Sequence, residues 1–276
     1  MTHIITAKGK TDVNAGNGSW DAGTPIAQTE CATELIINRL AAIDLLNTGR
    51  INKSATVVTL LERKFLYENL FDNVEVFNPK RRYEKVIDLV THDMLMKLCR
   101  SLPYKPFYRN YERDRDQIHN INYNQDIINK DMDDFLVCIP RLKNSDTRRN
   151  LDQQYWSDFL QVAKKEFSKI IVFGKGNDNL SDGDSVIYVD TLQDYCSYIH
   201  HKNCTNIVST ISGPCHYAQS FSNTSGKTKL TMIDNLGLIA EYGNDPSYFH
   251  PCINFTNIDI CFINELPDPK ELHKML

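Results

Sequence analysis

The sequence lacks the features of membrane and secreted proteins. No apolar run in its 276 residues approaches the roughly 20 needed to cross a bilayer, and the opening residues MTHIITAKGK lack the apolar core of a signal peptide. Its eight cysteines form no CxxC pair and mostly lie in apolar segments, which disfavours a zinc site or a disulfide framework. The net charge of −4 gives no general attraction to nucleic acid, although local basic clusters remain. These absences predict a soluble cytoplasmic protein, or one of the host cytoplasm if it is viral, with reduced and mostly buried thiols.

The chain alternates between short apolar runs and segments with helical periodicity. The predicted strands are 3–7, 56–60, 74–77, 86–90, 135–139, 169–173, 185–189, 206–210, 229–233 and 258–263. The predicted helices are 27–46, 62–71, 94–102, 154–167, 192–200 and 269–276. Strand–helix repeats imply parallel sheets covered on both faces. We therefore predict two Rossmann-like α/β/α domains, 1–103 and 135–265, with a linker or irregular excursion at 104–134 and a C-terminal helix at 266–276.

One stretch of the second half, TNIVSTISGPCHYAQSF at 205–221, predicts a strand, a tight turn and a helix. Proline suits the first helical position, so the helix is predicted to start at Pro214 after Ser212 and Gly213. The next residues, Cys215, His216 and Tyr217, would then present unpaired backbone N–H groups at the carboxyl edge of the sheet. A helix start of this kind attracts anions, phosphate above all. The alternative is an ordinary connection between a strand and a helix.

Four further candidate residues follow predicted strands of the second half. Arg141 and Lys143 open the basic loop RLKNSDTRR, and guanidinium groups pair well with phosphate oxygens. Gly174 begins a Gly-Lys-Gly turn where a ligand could approach the backbone, and Asp234 at the end of 229–233 could bind sugar hydroxyls. The alternatives are a solvated basic loop, and a plain turn at the aspartate.

The stretch at 205–221 resembles a segment of the heptosyltransferase-like enzymes with the GT-B fold. Their S-G-P-x-H-x-A pattern is matched in order by Ser212, Gly213, Pro214, His216 and Ala218, whereas the acidic residue that commonly precedes the serine is Ile211 here. The resemblance implies two α/β domains with a donor cleft between them, in which this turn holds the diphosphate of a nucleotide sugar. It also implies that a strand-end arginine, here Arg141, contacts the phosphates and that a glycine, here Gly174, lies near the nucleobase. The nucleoside-diphosphate sugar would be a substrate, with no separate cofactor.

The loop GNGSWDAGTP at 16–25 follows the first predicted strand. Its glycines do not match GxGxxG, so a dinucleotide fingerprint is absent. Gly18 would allow close approach of an acceptor, Trp20 could stack on a sugar ring, and Asp21 could take a proton from an attacking hydroxyl. The same family resemblance implies a carboxylate base in this loop. The alternative is that Asp21 is a helix cap or a solvated loop acid.

Together these patterns predict a glycosyltransferase that moves a sugar from a nucleoside-diphosphate donor to a hydroxyl acceptor, such as a glycan. We expect no metal, because Asp182-Gly183-Asp184, which has the DxD spacing of a metal-bound donor site, lies among turn-forming residues. Two alternatives stay open. One is a viral enzyme that glycosylates a hydroxylated base in DNA, and the other is a noncatalytic nucleotide-binding or interaction module.

Overall fold

The computed structural model forms two compact units, Met1–Asn122 and Tyr123–Leu276. It describes residues 2–6, 38–78, 80–81, 83, 85–88, 117–141, 150–174, 177, 179–180, 183–210, 212, 214–215, 217–219, 221, 228–234, 258–262 and 266–276. In these ranges no helix combines the length and apolarity needed to cross a bilayer. The division between the units falls inside the predicted linker at 104–134, and the predicted domain boundaries themselves stay predictions.

The first unit contains a parallel four-stranded sheet. Its strands are β1 (His3–Ile5), β2 (Thr56–Thr59), β3 (Asn73–Val76) and β4 (Val86–Asp88), in the order β3-β2-β1-β4. Helix α1 (Arg39–Asn47) ends at Thr48 and Gly49, and the glycine has the left-handed φ of +69° that suits a helix end. The predicted strands are confirmed. The predicted helix at 27–46 is confirmed from residue 39, whereas 27–37 and the helix at 94–102 lie outside the described residues.

The predicted helix at 62–71 is confirmed in part, as a six-residue 3₁₀-helix at Leu61–Leu66. Phe65, Leu66 and Tyr67 are all buried, although they are consecutive. The side chains of consecutive residues in a 3₁₀-helix point about 120° apart, so the burial of all three shows that this segment is covered from more than one side.

A buried arginine fixes the start of α1. The guanidinium of Arg39 is fully buried and donates to the carbonyl oxygens of Gln117, Ile118 and Asn120 at 2.6, 2.6 and 2.5 Å. The same environment lowers the pKa of His119 to about 3, mainly because burial disfavours the imidazolium and further because Arg39 is a nearby positive charge. Arg39 thus joins α1 to a segment about 80 residues later in the chain.

The second unit contains a parallel six-stranded sheet. Its strands are β5 (Phe135–Ile139), β6 (Lys169–Phe173), β7 (Val186–Val189), β8 (Cys204–Thr210), β9 (Lys229–Asp234) and β10 (Ile258–Phe262), in the order β10-β9-β8-β5-β6-β7. All six predicted strands are confirmed. The strand pairs are parallel throughout, so all six carboxyl ends lie along one edge of this sheet.

Four helices of the second unit have described boundaries. They are α2 (Gln125–Ile128), α3 (Gln153–Ala163), α4 (Leu192–His200) and α5 (Pro269–Lys274). Each begins after a polar cap whose side chain accepts from a backbone N–H of the first turn: Asn124, Asp152, Thr191 and Asp268. The C-terminal helix α5 buries Leu272 with Trp156 and Phe159 of α3 in the core of its own unit. Four cysteines of this unit are buried, as predicted: Cys138, Cys196, Cys204 and Cys215.

Candidate functional site

The strand order of the second sheet defines where a ligand is expected. From β5 the chain adds β6 and β7 on one side, and then returns to place β8 on the other side of β5. Ligands of open parallel sheets bind outside the carboxyl ends at such a reversal. Ile139 at the end of β5 lies opposite Ser209 of β8. The chain therefore leaves the two strands side by side, towards Arg141 and towards Ser212.

The turn after β8 leads into a helix, as predicted. Residues 214–215, 217–219 and 221 are helical, and the helical state begins at Pro214 within the described part of this segment. The hydroxyl of Ser212 accepts from the backbone N–H of Cys215 at 3.4 Å, which is the contact of a serine cap. Gly213 and His216 were predicted in the same site and lie outside the described residues.

The backbone N–H of Cys215 was expected to be unpaired, and the structure differs from this expectation. This N–H is bonded to Ser212, and the side chain of Cys215 is fully buried. Burial raises the pKa of the thiol to about 11, although hydrogen bonds with Ser209 and Ser212 act in the opposite direction. The thiol is therefore neutral and unreactive at physiological pH, so this side chain is not an anion-binding group.

The structure shows why residue 174, directly after β6, is a glycine, which the sequence alone did not indicate. Its φ is +129°, which disfavours any residue with a Cβ, and a Cβ at this position would lie 2.7 Å from Nδ2 of Asn177. Asn177 is 1% exposed and donates from Nδ2 to the carbonyl oxygens of Phe173 at 2.9 Å and Pro140 at 3.2 Å. This amide thereby ties the end of β6 to the residue just before Arg141. No pattern around Asn177 in the sequence indicated that it would be buried.

Helix α4 supplies a second group of contacts that the sequence did not reveal. The Tyr195 hydroxyl donates to the carbonyl oxygen of Pro214 at 2.8 Å, and its ring stacks on Phe173 with centroids 4.3 Å apart. One turn later, His200 bonds through Nε2 to the hydroxyl of Tyr217 at 3.0 Å and through Nδ1 to that of Tyr123 at 2.9 Å. The spacing of Leu192, Tyr195, Cys196 and Ile199 does predict a buried face. It does not identify the partners of the polar atoms.

Other polar groups lie along the same carboxyl edge. Arg141 is partly buried, and its Nε atom is shielded from solvent. Asp234, the last residue of β9, is fully buried together with Thr210, the last residue of β8. The hydroxyl of Thr210 and Oδ1 of Asn177 are buried with no hydrogen-bond partner in the part of the chain that the structure describes. A buried polar atom of this kind costs about 1–3 kcal/mol, so such atoms mark places where a further partner would be stabilising.

The remaining predicted site residues follow strand ends but lie outside the described residues. Lys143 follows Arg141 after β5, and Gly18, Trp20 and Asp21 follow Thr6 after β1. In the first sheet, β1 pairs with β2 on one side and with β4 on the other, so its carboxyl end is also at a reversal of strand order. The predicted turn at Gly183 is confirmed, with a φ of +139° and a bond from Val186 N to its carbonyl oxygen at 3.0 Å.

Comparison with solved structures shows the fold of the chain. No protein-family model matches the sequence, and no curated protein matches it. A structure of E. coli ADP-heptose LPS heptosyltransferase II is similar with a TM-score of 0.55, at 10% identity, over 99% of this chain and 97% of that one. A structure of E. coli heptosyltransferase WaaC with ADP-2-deoxy-2-fluoro heptose is similar with a TM-score of 0.50, at 11% identity, over 100% of this chain and 98% of that one. The chain therefore has the GT-B fold of the heptosyltransferases, as its sequence resemblance implied.

Proposed function

We propose that this protein is a nucleotide-sugar-dependent glycosyltransferase with its donor site at the carboxyl edge of the second sheet. The observation that carries the proposal is the position of the turn at Ser212–Pro214 within a heptosyltransferase fold. This turn and the strand that leads to Arg141 flank the reversal of strand order between β5 and β8. The similar WaaC structure contains an ADP-sugar analogue, which supports a nucleoside diphosphate as the ligand class.

Each group at this edge has a proposed role toward the donor. Arg141 and Lys143 contact the diphosphate together with the turn and helix start at 212–216. There Gly213 and His216 supply backbone N–H groups, whereas the N–H of Cys215 is bonded to Ser212. Gly174 lies beside the nucleobase, and Asp234 accepts from sugar hydroxyls. Charge-assisted hydrogen bonds from guanidinium to phosphate contribute about 1.5–3 kcal/mol each when they are shielded from water. The partly buried position of Arg141 supports such shielding.

The proposed chemistry is a displacement at the anomeric carbon. Asp21 accepts the proton of the acceptor hydroxyl, whose oxygen forms the new bond to the sugar, with Trp20 and Gly18 holding the acceptor. The bond between the anomeric carbon and the β-phosphate oxygen breaks, and its electron pair leaves with the nucleoside diphosphate. Arg141, Lys143 and the helix start stabilise the negative charge that develops there, so the proposed reaction needs no metal ion.

The first test is the thermal stability of the protein with millimolar ADP, UDP, GDP, dTDP or CMP. A ligand at about 100 times its dissociation constant adds roughly 2.7 kcal/mol to the free energy of unfolding, which a melting curve resolves. We expect a shift with one nucleoside diphosphate that is lost in Arg141→Ala and retained in Arg50→Ala. Arg50 is an exposed arginine at the end of α1, so its removal controls for the loss of one positive charge.

The second test separates transfer from binding alone. With the sugar conjugate of the nucleotide that binds, release of nucleoside diphosphate should proceed in the presence of EDTA and fall at least 100-fold in Asp21→Asn. Unchanged nucleotide binding in that variant would show that it is folded. No melting shift with any of the five nucleotides, or binding without turnover of any donor, would contradict the proposed function and favour an interaction or nucleotide-binding module.

A further inference from the structure

The helix start at Pro214 is held from the side of α4 by one phenol. Tyr195 is fully buried, and its hydroxyl donates to the carbonyl oxygen of Pro214 at 2.8 Å. This contact joins a residue near the start of α4 to the first described helical residue after β8. Ser212 holds the same helix start from within the turn, through its bond to the N–H of Cys215.

The ring of Tyr195 makes this contact directional. It stacks on Phe173, the last residue of β6, with an angle of 24° between the two ring planes. A stacked, fully buried ring has little freedom to move, so the position of its hydroxyl oxygen is set by the contact with β6 rather than by the turn that it holds. The hydroxyl thus sets the position of Pro214 relative to the end of β6, where Gly174 and Asn177 lie.

We infer that Tyr195 is a positioning residue for the proposed donor site: it aims the helix start at the diphosphate of the bound nucleotide. The inference rests on the proposed function. Backbone N–H groups stabilise an anion only in a narrow range of distance and angle, so a helix start displaced by a fraction of an ångström binds it less well. Because charge on the diphosphate grows as the sugar leaves, the same displacement lowers kcat as well as nucleotide affinity.

The sharpest perturbation is Tyr195→Phe, which removes the hydroxyl and keeps the stacked ring. Tyr155→Phe is a control in the same unit, because the Tyr155 hydroxyl donates to the carbonyl oxygen of Pro267 at 2.9 Å and the side chain is partly buried. Each variant loses one hydrogen bond from a phenol to a proline carbonyl. Only one of these bonds reaches the helix start.

Nucleotide affinity of both full-length variants and the wild type is measured by calorimetric titration with ADP, or with the nucleotide of the melting panel if ADP gives no shift. Their kcat is measured from the release of nucleoside diphosphate, as in the transfer test above. We expect nucleotide affinity and kcat each to fall roughly fivefold in Tyr195→Phe and to stay within twofold of wild type in Tyr155→Phe. Hydrogen exchange of the amides at 215–221 should accelerate only in Tyr195→Phe. The two variants should lose similar amounts of thermal stability.

The outcomes distinguish this inference from the proposed function. If the wild type binds none of the nucleotides, the proposed function fails and the role of Tyr195 fails with it. If the wild type binds but Tyr195→Phe binds equally well, the donor site stands and the positioning role is refuted. An equal loss of affinity in both variants would also refute it, because the loss would then follow general destabilisation.

Discussion

Replacing Arg39 with methionine should destabilise the first unit far more than removing an arginine from its surface. The Arg39 guanidinium is fully buried and satisfies three backbone carbonyl oxygens, those of Gln117, Ile118 and Asn120. Methionine fills a similar length of space without a charge or a donor. Arg39→Met therefore leaves these carbonyls without the donor that they now share.

The expected cost is about 3 kcal/mol. A buried acceptor that loses its partner costs about 1–3 kcal/mol, and the three losses are not additive because they share one side chain. The removal of a buried charge, whose desolvation opposes folding, offsets part of the sum. Arg81→Met is the matched control, since Arg81 pairs with Glu75 on the surface with side-chain exposures of 47% and 39%. An exposed pair contributes about 0–1 kcal/mol, so the control should change little.

The measurement is native-state hydrogen exchange on the full chain. Protection of the slowest amides of β1 and β2 reports the free energy of opening of the first unit, and that of β5 and β8 reports the second. We expect Arg39→Met to lower the free energy of opening of the first unit by about 3 kcal/mol, and Arg81→Met to lower it by less than 1 kcal/mol. Equal effects of the two substitutions on β1 and β2 would refute the role assigned to the buried guanidinium.

Two further predictions follow from the described residues. The pKa of His119 is about 3 in the folded chain, against an ordinary value of 6.5. Between these pH values only the unfolded chain takes up the proton, so the free energy of unfolding should decrease as the pH is lowered. We expect a loss of up to about 2 kcal/mol at pH 5. Urea unfolding between pH 7 and 5 checks this, and a pH slope that persists unchanged in His119→Asn would contradict it. Gly174→Ala should lower the free energy of unfolding by about 2–4 kcal/mol, because the φ of residue 174 is +129° and the new Cβ would displace Asn177. Gly49→Ala should cost only about 1–2 kcal/mol, because its φ is +69° and no atom lies within 4 Å of the added Cβ; equal costs in urea unfolding would argue against the close contact.

Much of the fold was predictable because its signals are local. The apolar runs at 135–139 and 169–173 predicted buried strands at their observed bounds, and the periodicity at 192–200 predicted α4 residue for residue. The 3₁₀-helix at Leu61–Leu66 was not distinguished from an α-helix, because apolar residues recur at intervals of three to four positions in both. The turn before Pro214 was predicted because serine, glycine and proline carry their backbone preferences with them.

By itself, the sequence determined the parallel strand–helix architecture, the helix start at Pro214 and the resemblance that pointed to the GT-B fold. Only the tertiary structure decided that β5 and β8 are neighbours, that Asn177 ties β6 to the residue before Arg141, and that Tyr195 holds Pro214. The physical reason is the range of the interactions. Backbone preferences and hydrophobic periodicity act within a few residues, whereas strand order and the partners of buried polar groups are set by contacts between distant segments.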